Sequence, residues 1–289
     1  MAGKTEAETR EEASQKPYGS GHTPLSYNSY LKVPELKKLQ ICQSDPPHHD
    51  EPLFIVIHQS YELWFKLILH ELDTVVEMIK EDKLRRANFY LKRVVAIMRV
   101  LVGQIHVLET MSPQDFLGFR HNLNPASGFQ SSQFRELEIM CGLRNERMLN
   151  HFKEDKEAYA NLQARTQAPS LETLFYELLG RNGFDLPRPS DTASEAEKEE
   201  LQVKRITQLK TLYEDPDRYP ELSDMAELLV DIDELIVLWR THHVTVVERI
   251  IGFKMGTGGS EGVGYLRTTL TQRSFPDLWK LRTHLELKS

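Results

Sequence analysis

The sequence predicts an all-α protein built as a single helical-bundle domain, and three observations carry that prediction. Apolar residues recur at steps of three and four through most of the chain. No two-residue alternation lasts long enough for a strand. Serine, proline and glycine punctuate the periodic stretches where helices start and stop.

The elements follow in order. From Leu53, apolar residues fall at Phe54, Ile57, Tyr61, Phe65, Ile68, Leu72, Val75, Val76 and Ile79, one stripe on a helix of about seven turns. Glu62 and Lys66, four apart and off that stripe, form a small favourable helix pair. A second long helix is expected over residues 84–109, with Val94, Val95, Met98, Leu101, Val102, Ile105 and Leu108 on its apolar face. Ser112, Pro113 and Asp115 then spell a helix start: a capping hydroxyl, a proline at the first position and an acid in the first turn. The short helix they open carries Phe116, Phe119, Arg120 and Leu123, and the run Asn124 to Gly128 breaks it. A helix over residues 131–141 closes at Gly142, and another begins at Ser170 and stops at Gly180. Residues 188–200 are polar and read as an exposed, partly helical connection. The last long helix starts after Ser223, carries Met225, Leu228, Leu229, Ile232, Leu235, Ile236, Trp239, His243, Val246, Val247 and Ile250, and ends at Gly252. A glycine-rich loop from Gly256 to Gly264 and a C-terminal helix complete the chain.

Composition narrows the function. With 289 residues and 40% hydrophobic content the chain is long enough to bury a sizeable core. Only 15 glycines and 14 prolines exclude a collagenous chain, and two cysteines, Cys42 and Cys141, exclude a disulfide scaffold and point to reduced thiols in the cytoplasm. A net charge of −7 does not favour nucleic acid or an anionic membrane as partner. No apolar run is long enough for a transmembrane helix. The polar start lacks the apolar core of a signal peptide, so residues 1–20 are expected to be a disordered acidic arm and residues 21–289 the helical domain. The unusual features left to explain are 11 histidines and the clustered glycines.

Two histidines interrupt apolar stripes: His58, four after Phe54, and His243, four after Trp239. A lone histidine on an apolar face is ordinarily a hydrogen-bonded core residue. Its alternative is a ligand, and a haem needs only one axial histidine and an apolar slot. Other metal chemistries fail on spacing. No histidine has a glutamate three positions before it, and His70-Glu71 is followed by Thr74 where a zinc protease motif needs histidine. The run His48-His49-Asp50-Glu51 collects ligand types, but its acids stand where they serve a helix N-terminus. The glycine loop has no lysine to make it a phosphate cradle and follows a helix rather than a strand, which leaves a turn or a mobile lid offering Thr257 or Ser260 to a ligand. Arg120, flanked by Phe119, is either a surface ion-pair residue or a fork for a carboxylate.

Together these stretches resemble one family, the haem-dependent tryptophan 2,3-dioxygenases. The resemblance rests on LSYNSYL at 25–31, HDEPLFIVIHQSYELWFK at 49–66, LETMSPQDFLGFR at 108–120, NPASGFQS at 124–131, LWRTHH at 238–243 and IGFKMGTGGS at 251–260. It implies insertion of both atoms of O₂ into the indole C2–C3 bond of L-tryptophan to give N-formyl-L-kynurenine, the first step of tryptophan degradation by the kynurenine route. It also implies ferrous haem b as cofactor and a homotetramer with a haem pocket between long helices. By the same resemblance His243 matches the axial haem ligand, His58 the histidine beside the substrate indole, and Phe54 a contact one turn earlier. Arg120 matches the arginine that pairs with the substrate carboxylate, Thr257 the threonine that meets the substrate ammonium, and Ser127 a serine of the pocket. Phe116 is expected to touch the indole, where some members have tyrosine. Ile105 replaces an aromatic of several members. Tyr27 and Tyr30 match residues contributed by a neighbouring subunit. Two other readings of the same motifs are a haem enzyme adding one oxygen atom to an indole without the amino-acid group, and a non-catalytic helical haem or indole-binding module.

Overall fold

A computed structural model of the chain describes residues 25–190, 192–256 and 262–286. Among these residues every regular element is helical. They fall into two units, divided between Cys42 and Gln43. The expected acidic arm over residues 1–20 lies outside the described residues, as do Thr257 and Ser260 of the glycine loop.

The first unit holds two short helices, α1 (Tyr27–Leu31) and α2 (Val33–Leu36). Ser26 caps α1 by accepting from Ser29 N, and Lys32, in the left-handed region at φ 53°, turns the chain into α2. Neither helix buries a residue.

The second unit is organised by three long helices: α3 (Glu51–Lys80), α4 (Leu84–Leu108) and α11 (Pro220–Ile251). Helix α4 packs along both of the others. Its stripe is fully enclosed, with Leu91, Val94 and Leu101 at 0% exposure, against Ile68, Leu72 and Val75 of α3 and Met225, Ile232 and Ile236 of α11. Truncating one such leucine costs about 2–5 kcal/mol, so this three-helix seam is the rigid frame of the molecule.

Shorter helices surround the frame: α5 (Pro113–Phe119), α6 (Ser132–Met140), α7 (Glu146–Leu149), α8 (Lys156–Gln167), α9 (Leu171–Arg181), α10 (Glu195–Glu214), α12 (Val263–Thr268) and α13 (Pro276–Leu281). Ser112, Ser131 and Ser170 cap α5, α6 and α9, each accepting from the backbone N–H three residues on. Several boundaries differ from the sequence expectation. Arg120 and Leu123 lie on a 3₁₀ turn rather than on α5 itself. Helix α9 runs through Gly180 to Arg181, and Gly183, at φ +91°, takes the left-handed position beyond it. Helix α11 starts at Pro220 rather than after Ser223, because proline suits the first turn. The expected C-terminal helix is two short helices separated by a turn. The polar stretch before residue 200 opens α10, whose Ser194–Glu197 capping box starts a helix that buries only Arg205, Ile206, Leu209 and Leu212 in its second half.

Two buried carboxylates lock α11 in place. Asp233, at 0% exposure, accepts from Ser274 N, Phe275 N and Trp279 Nε1 at 2.9–3.2 Å and so holds the C-terminal turn on the helix. Glu138 on α6 receives Arg240, and the same guanidinium donates to Thr269 O at 3.1 Å. Breaking such a pair leaves an uncompensated buried charge and is strongly destabilising. Among the described residues no single helix is long and apolar enough to cross a membrane.

Candidate active site

The N-terminal half of α3 and the C-terminal half of α11 bring the two stripe histidines together. His58 is partly buried, and its Nδ1 lies 2.7 Å from the carbonyl oxygen of Phe54 on the previous turn. A carbonyl only accepts, so Nδ1 carries the proton and Nε2 is left with a free lone pair. Burial lowers the His58 pKa, against the Phe54 carbonyl and Glu62, so the ring is neutral. The hydrogen bond also orients the imidazole: its ring centroid stands 4.1 Å from that of Phe54.

His243 differs in its partners. Its ring stacks on Trp239, one turn earlier, at 5.2 Å and 3° between planes. Burial pushes its pKa down to about 4, with His58 and Arg135 adding to the shift, so it too is neutral at physiological pH. No hydrogen bond occupies either ring nitrogen among the described residues. A neutral imidazole with an uncommitted nitrogen is the form that binds a metal. Beside it Trp239 is packed edge-on by Tyr61 and Phe65, and its indole N–H is sealed from water without a well-formed hydrogen bond. No group of three or more histidine, cysteine or acidic side chains suited to a bare metal ion occurs among the described residues.

A ring cluster grows from the Phe54 side. Phe54, Phe116 and Phe119 stand 5.4–5.8 Å apart, with Phe116 and Phe119 edge to face. Phe119 is fully enclosed and Phe116 is 9% exposed, so the apolar wall joins α3 to α5. Ile105 is buried within the long-helix core at 1% exposure.

The polar candidates lie on short elements. Arg120 follows Phe119 directly, and its guanidinium donates to the carbonyl of Met255, in the segment just beyond α11. That contact ties Arg120 to the chain two residues before Thr257. Ser127 accepts from Phe129 N at 3.3 Å and caps a 3₁₀ turn with Gln130, which leaves its hydroxyl proton to be donated elsewhere. Tyr27 and Tyr30 belong to the first unit and are 75% and 70% exposed.

In the run at residues 48–51, Glu51 stands in the first turn of α3 as expected, but the acids do more than serve the helix N-terminus. Asp50 makes no capping hydrogen bond, and His49 is solvent-exposed. Glu51, at 0% exposure, instead accepts from Gln43 N at 2.6 Å, Ser44 N at 3.1 Å and the Ser44 hydroxyl. Desolvation opposes ionisation there, but those hydrogen bonds outweigh it and hold the carboxyl below its usual range. Sequence reading missed two participants, Arg135, whose Nε is buried without a partner, and the Met255 carbonyl, whereas Trp239 belongs to the aromatic slot expected beside a stripe histidine and here stacks on His243. Trp239, four before His243 on the apolar stripe, carried the one legible signal. Arg135 and Met255 left none, because neither periodicity nor spacing marks them.

Two surface depressions, one lined by Asn28, Val33, Pro34, Lys37 and Lys38 and one by Pro189, Glu195, Gln202, Arg205 and Lys280 among others, include none of the candidate residues.

The family model described as tryptophan 2,3-dioxygenase matches residues 10–179 and 198–285. Curated relatives carrying the name tryptophan 2,3-dioxygenase include one from Herpetosiphon aurantiacus, 43% identical over 261 residues, covering 90% of this chain and 98% of the relative. One from a Nocardioides species is 44% identical over 273 residues, covering 93% and 97%. Another, from Serratia proteamaculans, is 41% identical over 261 residues, covering 90% and 93%. Similarity of this extent runs through every element of the histidine site, and on it the chain belongs to the tryptophan 2,3-dioxygenase family.

Proposed function

We propose that the chain inserts both atoms of O₂ across the indole C2–C3 bond of L-tryptophan, giving N-formyl-L-kynurenine and opening tryptophan degradation. The observation that carries this reading is the histidine pair: one neutral imidazole with its acceptor lone pair beside an aromatic wall, the other neutral with an uncommitted nitrogen.

The residues fit a haem. His243, neutral and with an uncommitted ring nitrogen, would hold the haem iron, and Trp239 braces its ring. Ferrous haem b, when bound there, supplies the activation of O₂ that an indole alone does not provide.

The chain's own side chains then position the substrate. His58 Nε2 accepts the indole N–H, a proton too weakly acidic for a neutral imidazole to remove outright, so His58 orients the ring rather than acting as an obligatory base. Phe54 and Phe116 give apolar contact to the indole, and their enclosure excludes water. Arg120 offers its fork to the substrate carboxylate, with Thr257 at the ammonium and Ser127 donating from the pocket wall. Holding both ends of the amino acid places the C2–C3 bond in one orientation. One O₂ is consumed per tryptophan, both its atoms enter the product, and no external electron is needed in the cycle.

A homotetramer belongs to the same reading. Support comes from the first unit, where Leu25, Tyr27, Tyr30, Leu39 and Ile41 are all more than half exposed and no residue of α1 or α2 is buried. Such a segment is suited to covering another copy's site with Tyr27 and Tyr30. The free thiols Cys42 and Cys141 agree with a cytoplasmic enzyme, and the net charge of −7 gives no ground for a nucleic-acid or membrane partner.

The test is aerobic turnover of L-tryptophan by the reduced, haem-loaded protein, followed by product absorbance and O₂ uptake. One O₂ consumed per N-formylkynurenine formed supports the reading; binding of tryptophan without turnover overturns it.

A further inference from the structure

Helix α5 is short, yet it carries both wall residues, Phe116 and Phe119, and leads directly into the 3₁₀ turn that begins with Arg120. Phe116 and Phe119 pack α5 against Phe54 of α3, and how near the helix can come is set by what lies under its backbone. Under Gly118 lies His48. A Cβ added at Gly118 would stand 2.7 Å from His48 Nε2 and 2.8 Å from its Cδ2, about 1 Å short of ordinary carbon contact. The imidazole of His48 thus fills the space that any other residue's side chain would take.

His48 is not free to swing away. Its Nδ1 accepts from Asp50 N at 3.3 Å, its backbone N–H donates to the Ser44 hydroxyl at 2.8 Å, and its ring lies 5.4 Å from that of Phe119. Ser44 in turn is held by the buried Glu51, the first residue of α3. An unbroken series of contacts therefore runs from the start of α3 through Glu51, Ser44 and His48 to Gly118, and two residues later to Arg120. The same helix α3 carries Phe54 and His58 in its first turns.

We propose that His48, seated against the bare backbone of Gly118, is a positioning residue that sets the spacing between Arg120 and His58 and so matches the site to the length of an amino acid carrying an indole. This rests on the proposed recognition of L-tryptophan by those two residues. It assigns His48 no contact with substrate. It makes recognition of the carboxylate depend more steeply than that of the indole on the volume at positions 48 and 118.

The test uses the full-length, haem-loaded protein with Gly118→Ala, His48→Ala and the double substitution. Dissociation constants for L-tryptophan and for tryptamine, which lacks the carboxylate, are read from the haem absorbance, alongside KM and kcat. A misplacement near 1 Å can cost a hundredfold, so Gly118→Ala is expected to weaken L-tryptophan about tenfold, in Kd and KM together, at unchanged haem content. Tryptamine affinity should fall clearly less than that of L-tryptophan, because Phe116 shifts with α5 while Phe54 and His58 on α3 keep their places, and kcat should change less than KM. His48→Ala alone should weaken L-tryptophan to a lesser degree, and adding it to Gly118→Ala should restore most of the loss. The proposal is overturned if Gly118→Ala or His48→Ala leaves L-tryptophan binding unchanged, if the double variant is no better than Gly118→Ala, or if tryptamine weakens in step. Should Gly118→Ala fail to fold, His48→Ala decides by the same tryptophan-to-tryptamine ratio. If the parent binds L-tryptophan selectively over tryptamine but does not oxidise it, the proposed function fails while the positioning role is still read from the variants.

Discussion

The two halves of the candidate site are built differently. His58, Phe54, Trp239 and His243 stand on 30- and 32-residue helices whose inner faces are fully enclosed. Arg120, Ser127 and Met255 stand on 3₁₀ turns or beyond a helix end, at least partly exposed and held by hydrogen bonds rather than by enclosed packing. The difference divides the labour. The half proposed to hold a cofactor and an indole sits on rigid elements, where displacement means repacking a core. The half proposed to meet the charged end of the substrate sits on turns, where fewer packed side chains hold it. The Arg120 guanidinium donates to the Met255 carbonyl, so a carboxylate arriving there changes a contact with the loop as well as making its own.

Replacing one residue at a time sharpens that contrast. The largest effect is expected in the rigid half: His243→Ala should reduce haem per chain to background and abolish turnover, and normal haem content in that variant would refute its assignment as ligand. Next comes the yielding half. Arg120→Ala should raise KM for L-tryptophan about 30- to 1000-fold, the equivalent of roughly 2–4 kcal/mol for a desolvated charge pair, with haem content unchanged. An unaltered kcat/KM would remove the carboxylate fork.

His58→Ala is expected to be milder, lowering kcat/KM about ten- to a hundredfold through loss of one hydrogen bond and its ring contact, with activity still measurable. Complete inactivity with haem bound would make His58 an obligatory base instead. Because burial lowers the His58 pKa, the acid limb of the parent's kcat/KM profile should fall below the ordinary value of 6.5, and no His58-dependent change should occur between there and pH 8.

The smallest effect lies outside the site and is one of stability. Burial raises the Glu172 carboxyl to about 7, with Asp277 adding to the shift, against Arg188 and Arg205. The folded state therefore holds this proton more tightly than the unfolded chain. Stability from this group is fully present below about 4.5 and is lost as pH rises through 7. Burial of His243 works in the opposite sense, its contribution being lost as pH falls from 6.5 towards 4. Glu172→Gln should thus melt at a higher temperature than the parent at pH 8, by the equivalent of about 1–3 kcal/mol, and match it near pH 4. Equal melting at both pH values would show that Glu172 is solvated.

The same contrast explains what the sequence disclosed. The long helices were legible because burial on one face writes a three-and-four period along the chain, and Ser112, Ser131 and Ser170 marked helix starts through the chemistry of capping. Helices α8 and α10 were not. Helix α8 buries only Ala158 and Leu162, and α10 buries nothing before Arg205, so neither writes a clear stripe. His58 and His243 stood out as polar interruptions of such a stripe. His48 did not, because its role depends on a glycine 70 residues away and on a contact that no local pattern encodes. Arg120 and Ser127 drew their roles from the family resemblance rather than from periodicity, as expected for residues on turns.

The most direct test of the central claim is turnover of L-tryptophan by the reduced holoprotein under isotopically heavy dioxygen, with the product weighed by mass spectrometry. The account predicts N-formylkynurenine carrying both heavy atoms. A product with a single heavy oxygen, or tryptophan recovered unchanged, would contradict it.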